Sequence, residues 1–394
     1  MGTDASNDPY ALLWVANVSS TFYSFYRGHI AHLISRGFVI RLAADHDHRS
    51  DEKAQDLGAP LHHIQMPRAI TPVADLRALW RLIALMRQFR PDVVHAHTPK
   101  GGLLGMLAAR VVGVPTKFYT CLGIPYLSKS GWRRWLLKAT ERISCRLADR
   151  VICVSESNRQ VLIEDGLCPA EKATVIGSGG VCGADAQRFS PREEVRKQAA
   201  ALRRQLGIPP SCTALGFIGR FTRDKGITEL LGAWQQLRVD LPTLHLLLVG
   251  CFEPGDPLPP EVEQRLRSEP GIHVVGWQWD TPPWYSAMDV FVLPTYREGL
   301  PISALEAAAM ELPVVATRVP GCVDAVVDGR TGLLVPPRDA EALAGACRRL
   351  LDDPGLRQKL GRQGRQRVLS EFAPERISEG LRQEYLAILG QRTH

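Results

Sequence analysis

Apolar runs and helical periods alternate along most of the chain. ALLWVAN (11–17), FVIRLAA (38–44), LHHIQM (61–66), PDVVHAH (91–97), TKFYTC (116–121), RVICVS (150–155) and ATVIG (173–177) read as strands. Helical periods fall between them at 25–36, 72–89 and 101–113, with a longer one ahead of Arg150. The runs are continuous in Val, Ile and Leu, as expected when helices cover both faces of a sheet. Strand–helix–strand repetition at this spacing predicts a parallel, doubly wound α/β sheet.

The pattern breaks at FSPREEVRKQAAALRRQLGIPPS (189–211), which is charged and Pro-punctuated. A second series then starts: TALGFIG (213–219), LHLLLVG (244–250), IHVVG (272–276), VFVLP (290–294), PVVAT (313–317) and GLLVP (332–336). The expected organisation is a Rossmann-like domain over 1–190, a linker over 191–212 and a second Rossmann-like domain over 213–375. The amphipathic end, 376–394, is expected to cross back onto the first domain. Two such domains would face a central cleft, with ligands at the carboxyl ends of the strands. The halves are alike in layout, and no solenoid repeat is present.

Composition narrows the classes. A chain of 394 residues is too long for one ordinary core. A 45% hydrophobic and 23% charged make-up is that of a globular protein. No apolar run reaches the ~18 residues a bilayer span needs. MGTDASNDPY has neither a basic start nor an apolar core, so it reads as a short loose tail rather than a secretory signal. Nine scattered cysteines form no C-x-x-C pair and read as buried free thiols of a reducing cytoplasm. A net charge of +7 suits anionic partners.

The sharpest chemistry lies in YREGLPISALEAAAMELPVVATR (296–318). Glu298 stands in the loop after a strand, Gly299 and Leu300 follow, and Pro301 is placed to open a helix. Free N–H groups at that helix start form an anion-binding corner. Glu306 falls about two helical turns beyond Glu298, so both carboxylates can face one cleft. A second strand end, GFIGRFTRDKGITEL (216–230), offers the cations a phosphate needs: Arg220 and Lys225, flanked by Gly219 and Gly226.

In this order the elements resemble the retaining nucleotide-sugar glycosyltransferases of family 4, which have the GT-B fold. PGCVDAVVDGRTGLLVPPRD (320–339) adds to the match. MPRAITPVADLRALWRL (66–82) and RPDVVHAHTPKGGLLGMLAARVVGVP (90–115) are similar to the branch that builds bacterial capsule, exopolysaccharide and lipid-linked glycans. The resemblance spans nearly the whole chain. It implies a nucleotide-sugar donor, UDP by default, and a lipid-linked or saccharide acceptor. Glu306 would hold the donor ribose, and Arg220 and Lys225 would neutralise the diphosphate. Glu298 and the backbone of Gly299, Leu300 and Pro301 would position the transferred sugar, and Gly276 and Trp277 would lie beside the base. No cofactor or metal is implied. On the acceptor side the candidates are Ser19, Ser20, Lys100 and Gly123. The chain departs from the family where Leu122 precedes Gly123 in place of the frequent His, and where NVSSTFYSF (17–25) replaces a Gly-rich loop.

Two further clusters look metal-like. DHDH (45–48) carries the Asp-x-Asp by which GT-A enzymes hold a divalent ion, but reads better as a solvated loop; HAH (95–97) reads as a strand end. KSGWRRWLLKATERISCRLADR (129–150) sets Lys or Arg at 129, 133, 134, 138, 142, 146 and 150 behind Trp132 and Trp135. That is the make-up of a helix lying on anionic lipid, and it points to peripheral contact with the inner face of the cell membrane. No nucleic-acid-binding motif is visible. The rival functions are a GT-B-type sugar-nucleotide epimerase, a hydrolase using Glu298 and Glu306 as acid and base, and a non-enzymatic nucleotide-binding module. NAD and P-loop readings fail because neither Gly-rich motif occurs.

Overall fold

The computed structural model describes residues 10–47, 56–67 and 69–390. The tail Met1–Pro9 and His48 of the DHDH cluster lie outside them. The chain forms two compact units, Met1–Cys182 with Pro374–His394, and Gly183–Ala373.

The first unit is built on a parallel sheet of β1 (Ala11–Val15), β2 (Val39–Ala44), β3 (Leu61–His63), β4 (Val93–His97), β5 (Thr116–Cys121), β6 (Arg150–Cys153) and β7 (Ala173–Val175). Their order is β3-β2-β1-β4-β5-β6-β7 among the described residues. β1 hydrogen-bonds both β2 and β4. The strand order therefore reverses between β1 and β4, where a doubly wound sheet opens a crevice at its carboxyl edge. One face of the sheet packs on Ala78, Leu82 and Met86 of the helix Pro72–Phe89, and on the helix Pro99–Val112. The other packs on Phe22, Ile30 and Leu33, and on Ile377, Leu381 and Tyr385 of the terminal helix Pro374–Gly390.

Polar contacts fasten that terminal helix to the first unit. Glu384 meets Arg150 at 3.1 Å and Glu379 meets His32 at 3.0 Å. The Tyr385 hydroxyl lies 2.5 Å from His95 Nδ1, and Thr120 Oγ1 lies 2.6 Å from His95 Nε2. Burial pulls the His95 imidazole down to about 3, so the ring is neutral, with both nitrogens occupied by hydroxyls.

The second unit holds β8 (Ala214–Ile218), β9 (His245–Val249), β10 (Ile272–Val274), β11 (Val290–Leu293), β12 (Val314–Thr317) and β13 (Gly332–Val335). This sheet is also parallel, in the order β10-β9-β8-β11-β12-β13 among the described residues. Its reversal falls between β8 and β11. The segment 191–212, expected as a linker, is folded into this unit. Glu193–Gln205 is a helix with Val195 and Ala199 buried. Arg203 reaches Asp289 at 3.2 Å, and that same carboxylate accepts the Ala214 N–H at 2.8 Å where β8 begins.

All nine cysteines are free thiols. Six are buried, whereas Cys182, Cys212 and Cys251 are partly exposed, contrary to the expectation of burial for all nine.

Tyr385→Ala is expected to destabilise the first unit by about 3–5 kcal/mol, because it removes a buried ring and takes the hydroxyl partner from His95 Nδ1. Tyr385→Phe, which keeps the ring, is expected to cost about 1 kcal/mol. Urea unfolding of the two variants checks the ranking.

Candidate active site

The loops after β8 and β11 leave the sheet on either side of its reversal point and are bonded to each other. The Tyr296 N–H donates to the Asp224 carbonyl at 2.8 Å, and Thr295 Oγ1 lies 3.0 Å from the same oxygen. Gly226 closes the turn Arg223–Lys225 at φ +68°, and a Cβ there would sit 1.9 Å from the Pro294 carbonyl oxygen. Glycine is thus required both for the left-handed backbone and for the closeness of the two loops.

That junction brings Lys225 Nζ against Glu298 Oε1 in a largely buried ion pair. Beside it, Arg297 and Asp224 pair at 2.6 Å, and Thr222 donates to Asp224 at 2.6 Å. Burial works to raise the Asp224 carboxyl. The Arg297 guanidinium, the Thr222 hydroxyl, Lys225 and Arg220 outweigh it and hold the group below the usual carboxylate range. Arg220 is half exposed and meets Glu253 at 3.4 Å, a loose contact of a kind worth little in water.

Sequence reasoning missed Asp224 and Arg297. Each is adjacent to a residue it did single out, but an ion pair between positions 73 residues apart leaves no local signal.

A third loop braces the second. Gly321 has φ +82°, and a Cβ there would lie 2.3 Å from the Gly299 carbonyl oxygen and 2.9 Å from that of Glu298. Pro301 does not open the helix. It is the extended residue ahead of Ile302–Ala309, and no side chain caps that helix start. Only part of the Glu298–Glu306 spacing is therefore helical, and the two-turn construction does not describe it. Leu300 and Pro301 are buried behind the corner.

Glu306 retains some exposed surface, yet its carboxyl sits deep enough that burial pushes it up to about 7; the Tyr285 hydroxyl and Arg188 oppose that rise. Tyr285 donates to it at 2.7 Å. Gly219 follows β8 directly and donates to the Val249 carbonyl, and the Gly276 carbonyl accepts from Gly250. Trp277, 48% exposed, stands edge-on to Trp279 at 5.8 Å.

In the first unit, the loops after β1 and β4 flank the other reversal point. The Asn17 N–H donates to Thr98 Oγ1 at 3.3 Å. Thr98 has φ +67° and ψ 155°, a region that is almost exclusively glycine's and costs about 1–3 kcal/mol. The sequence places Thr98 in the loop after HAH, beside Lys100, but its strained backbone has no signature there. Ser19 is buried, with its N–H on the Asp45 carbonyl. Ser20 begins helical backbone that passes through a π-turn, Phe22–Tyr26, into the helix Arg27–Ser35. The segment 17–25, expected as a loop, is thus helical from Ser20 onward.

Lys100 is tied to Asp75 at 2.7 Å, so its charge is already paired. Gly123 follows β5, and its carbonyl accepts from the Cys121 thiol at 3.4 Å. Leu122 packs on the core beneath the helix Arg27–Ser35. The HAH histidines are both buried, and His97 lies 4.3 Å from the Tyr26 ring. In DHDH, Asp45 accepts the Met66 and His46 N–H groups, each at 2.8 Å, and His46 stacks on His63. Among the described residues, no group of three or more His, Cys, Asp or Glu is placed to hold a metal ion.

Gly321→Ala is expected to push Glu298 and Gly299 out of register, lowering both the melting temperature and the affinity for the nucleotide sugar that the family resemblance implies. Gly329→Ala, at φ +69° with open space around it, serves as the control for backbone strain alone. Thermal melts and titration calorimetry on the pair separate the two effects.

Comparison with known proteins identifies the family. Residues 26–179 match the glycosyl transferase 4-like domain, and residues 212–353 match glycosyl transferases group 1. The chain is 31% identical to the capsular polysaccharide biosynthesis glycosyltransferase CapM of Staphylococcus aureus, over 83% of this chain and 85% of that one. It is 26% identical to the Escherichia coli UDP-Gal:alpha-D-GlcNAc-diphosphoundecaprenol alpha-1,3-galactosyltransferase, over 73% and 74% of the two chains. Among solved structures, sucrose-phosphate synthase from Thermosynechococcus elongatus superposes with a TM-score of 0.81 at 23% identity, over 97% of this chain and all of that one. Anabaena HepE in complex with UDP gives 0.77 at 18%, over 96% of this chain and 100% of that one. With two parallel-sheet α/β units and these relatives, the chain belongs to the family 4 glycosyltransferases of the GT-B fold.

Proposed function

We propose that the protein transfers a sugar from a UDP-sugar to a lipid-linked diphosphate saccharide, with retention of anomeric configuration and without a metal ion, at the inner face of the cell membrane. The observation that carries the reading is the buried Lys225–Glu298 pair at the β8/β11 reversal, beside an uncapped helix start. Cations and backbone N–H groups at that corner suit a diphosphate. The donor and acceptor classes are supported by the names of the relatives, of which one takes UDP-Gal and a diphosphoundecaprenol acceptor.

In this reading Lys225, the more exposed Arg220 and the N–H groups ahead of Ile302 take up the charge that grows on the leaving diphosphate. Glu298, with Gly299, Leu300 and Pro301, orients the sugar as it passes through an oxocarbenium-like state. The departing phosphate oxygen accepts the acceptor's proton on the same face, which gives retention. Trp277 and Gly276 lie beside the base, and Glu306 holds the ribose hydroxyls. Ser19, Ser20, Lys100 and Gly123 border the acceptor. The helix Gly131–Leu147, with Trp132, Trp135, Arg133, Arg142 and Arg146 exposed, rests on anionic lipid. Two basic residues of the predicted stripe are spent inside the unit: Lys138 pairs with Asp165 at 2.8 Å, and Arg134 lies over the Tyr126 ring. An epimerase or hydrolase gains no support from the family to which the chain belongs.

Lys225→Ala and Arg220→Ala are expected to lower kcat by about 100-fold or more, and Lys225→Ala to lower the melting temperature as well, because it removes the cation held against the largely buried Glu298 carboxylate. Turnover of a radiolabelled UDP-sugar with a prenyl-diphosphate saccharide, in the presence of EDTA, checks this. NMR of the product should show the anomer of the donor, and an inverted product or a strict metal requirement would refute the mechanism.

Glu306 adds a pH test. Ribose hydroxyls bind the ionised carboxylate, and the free enzyme's carboxyl titrates near 7. UDP-sugar affinity is therefore expected to rise about tenfold from pH 6 to pH 8. Glu306→Gln should flatten the profile. The intact nucleotide sugar is the right probe, because its diphosphate does not titrate in that range.

A further inference from the structure

The helices Pro72–Phe89, Pro99–Val112 and Gly131–Leu147 lie side by side on one face of the first unit's sheet, with Pro99–Val112 in the middle. Together they carry ten Lys or Arg residues against two acids. The acids are turned inward: Asp75 pairs with Lys100, and Glu141 is buried under the Tyr119 hydroxyl. The surplus on this one layer exceeds the net charge of +7 on the whole chain.

Sequence reading drew attention to the helix Gly131–Leu147 alone. The structure adds a matching stripe on Pro72–Phe89. Val73, Leu76 and Trp80 recur at one-turn and two-turn intervals and are 66%, 55% and 62% exposed. Arg77 and Arg81 are exposed beside them. Across the layer, Trp132 and Trp135 are 64% and 70% exposed, with Arg133 over the Trp132 ring.

We infer that the two outer helices form a bipartite docking face for an anionic phospholipid surface, with the stripe Val73–Leu76–Trp80 as its second anchor. The inference rests on the membrane contact proposed above for 129–150 and extends it. Exposed tryptophan between arginines, with no outward acid, suits a headgroup layer: the rings enter the interface while the guanidinium groups meet lipid phosphate. A second copy of this chain docking through the same face would set like charge against like charge and be repelled.

The arrangement also has a direction. Helices that follow parallel strands begin at the carboxyl edge of the sheet. The apolar anchors occupy the first halves of both outer helices, nearest the edge where Ser19 and Lys100 stand. Arg87, Arg110 and Arg146 lie toward the opposite edge. The face therefore brings the acceptor candidates to the depth of the headgroups, where a lipid-borne diphosphate emerges.

Vesicle flotation of the full chain tests this, with phosphatidylcholine alone and mixed with phosphatidylglycerol. The wild type is expected to float with the mixed vesicles only. L76Q/W80Q and W132Q/W135Q should each weaken partition by about tenfold or more, and the combination should abolish it. R77E/R81E should match L76Q/W80Q without removing any apolar group, and all variants of the helix Pro72–Phe89 should melt and bind UDP like the wild type. If both of those pairs float like the wild type while W132Q/W135Q does not, the second anchor is refuted and the single-helix contact stands. If the wild type ignores anionic vesicles, or forms a dimer that L76Q/W80Q dissociates, both readings fall. Equal flotation with neutral vesicles would refute the anionic surface.

Discussion

The loop after β8 and the loop after β11 share one backbone hydrogen bond, from the Tyr296 N–H to the Asp224 carbonyl, and the rest of the candidate active site depends on it. The bond is made across the point where the sheet reverses direction. It is reinforced by Thr295 from one side and by the missing side chain of Gly226 from the other. With the two loops fixed, Lys225 meets Glu298 and Arg297 meets Asp224 without further instruction. Each cation of the corner is held by an acid rather than left bare, which avoids an uncompensated buried charge. In the proposed reading, a diphosphate entering the corner competes for cations already in position. Little side-chain entropy then has to be given up when it binds.

Much of the fold was legible in the chain. Strands such as VVHAH and HLLLV are buried on both faces, so their composition alone declares them. What failed was what depends on partners. The helix Glu193–Gln205 buries only Val195 and Ala199, and its charge made it look like a connector. The helical turn at Phe22–Tyr26 is aromatic-rich and has poor intrinsic propensity; tertiary packing against Trp14 and His97 holds it.

The candidate site was legible only in its separate parts. Lys225 and Glu298 could be named because each stands in a loop after an apolar strand, beside glycine. Their direct pairing, the Arg297–Asp224 pair and the bracing by Gly321 involve residues far apart in sequence, and nothing local announces them. The basic stripe of the helix Gly131–Leu147 shows the opposite error. Regular spacing implied one uniform face, yet Lys138 and Arg134 turn inward to Asp165 and Tyr126. The positive charge is instead shared among three helices, a property of the layer and not of any one segment.

A crystal structure of the protein with a UDP-sugar tests the central claim most directly. The account predicts diphosphate oxygens about 3 Å from Lys225 Nζ, from the Arg220 guanidinium and from the N–H groups that begin the helix Ile302–Ala309. A nucleotide bound away from these groups, with the Lys225–Glu298 pair and the β8 and β11 loops untouched, would contradict it.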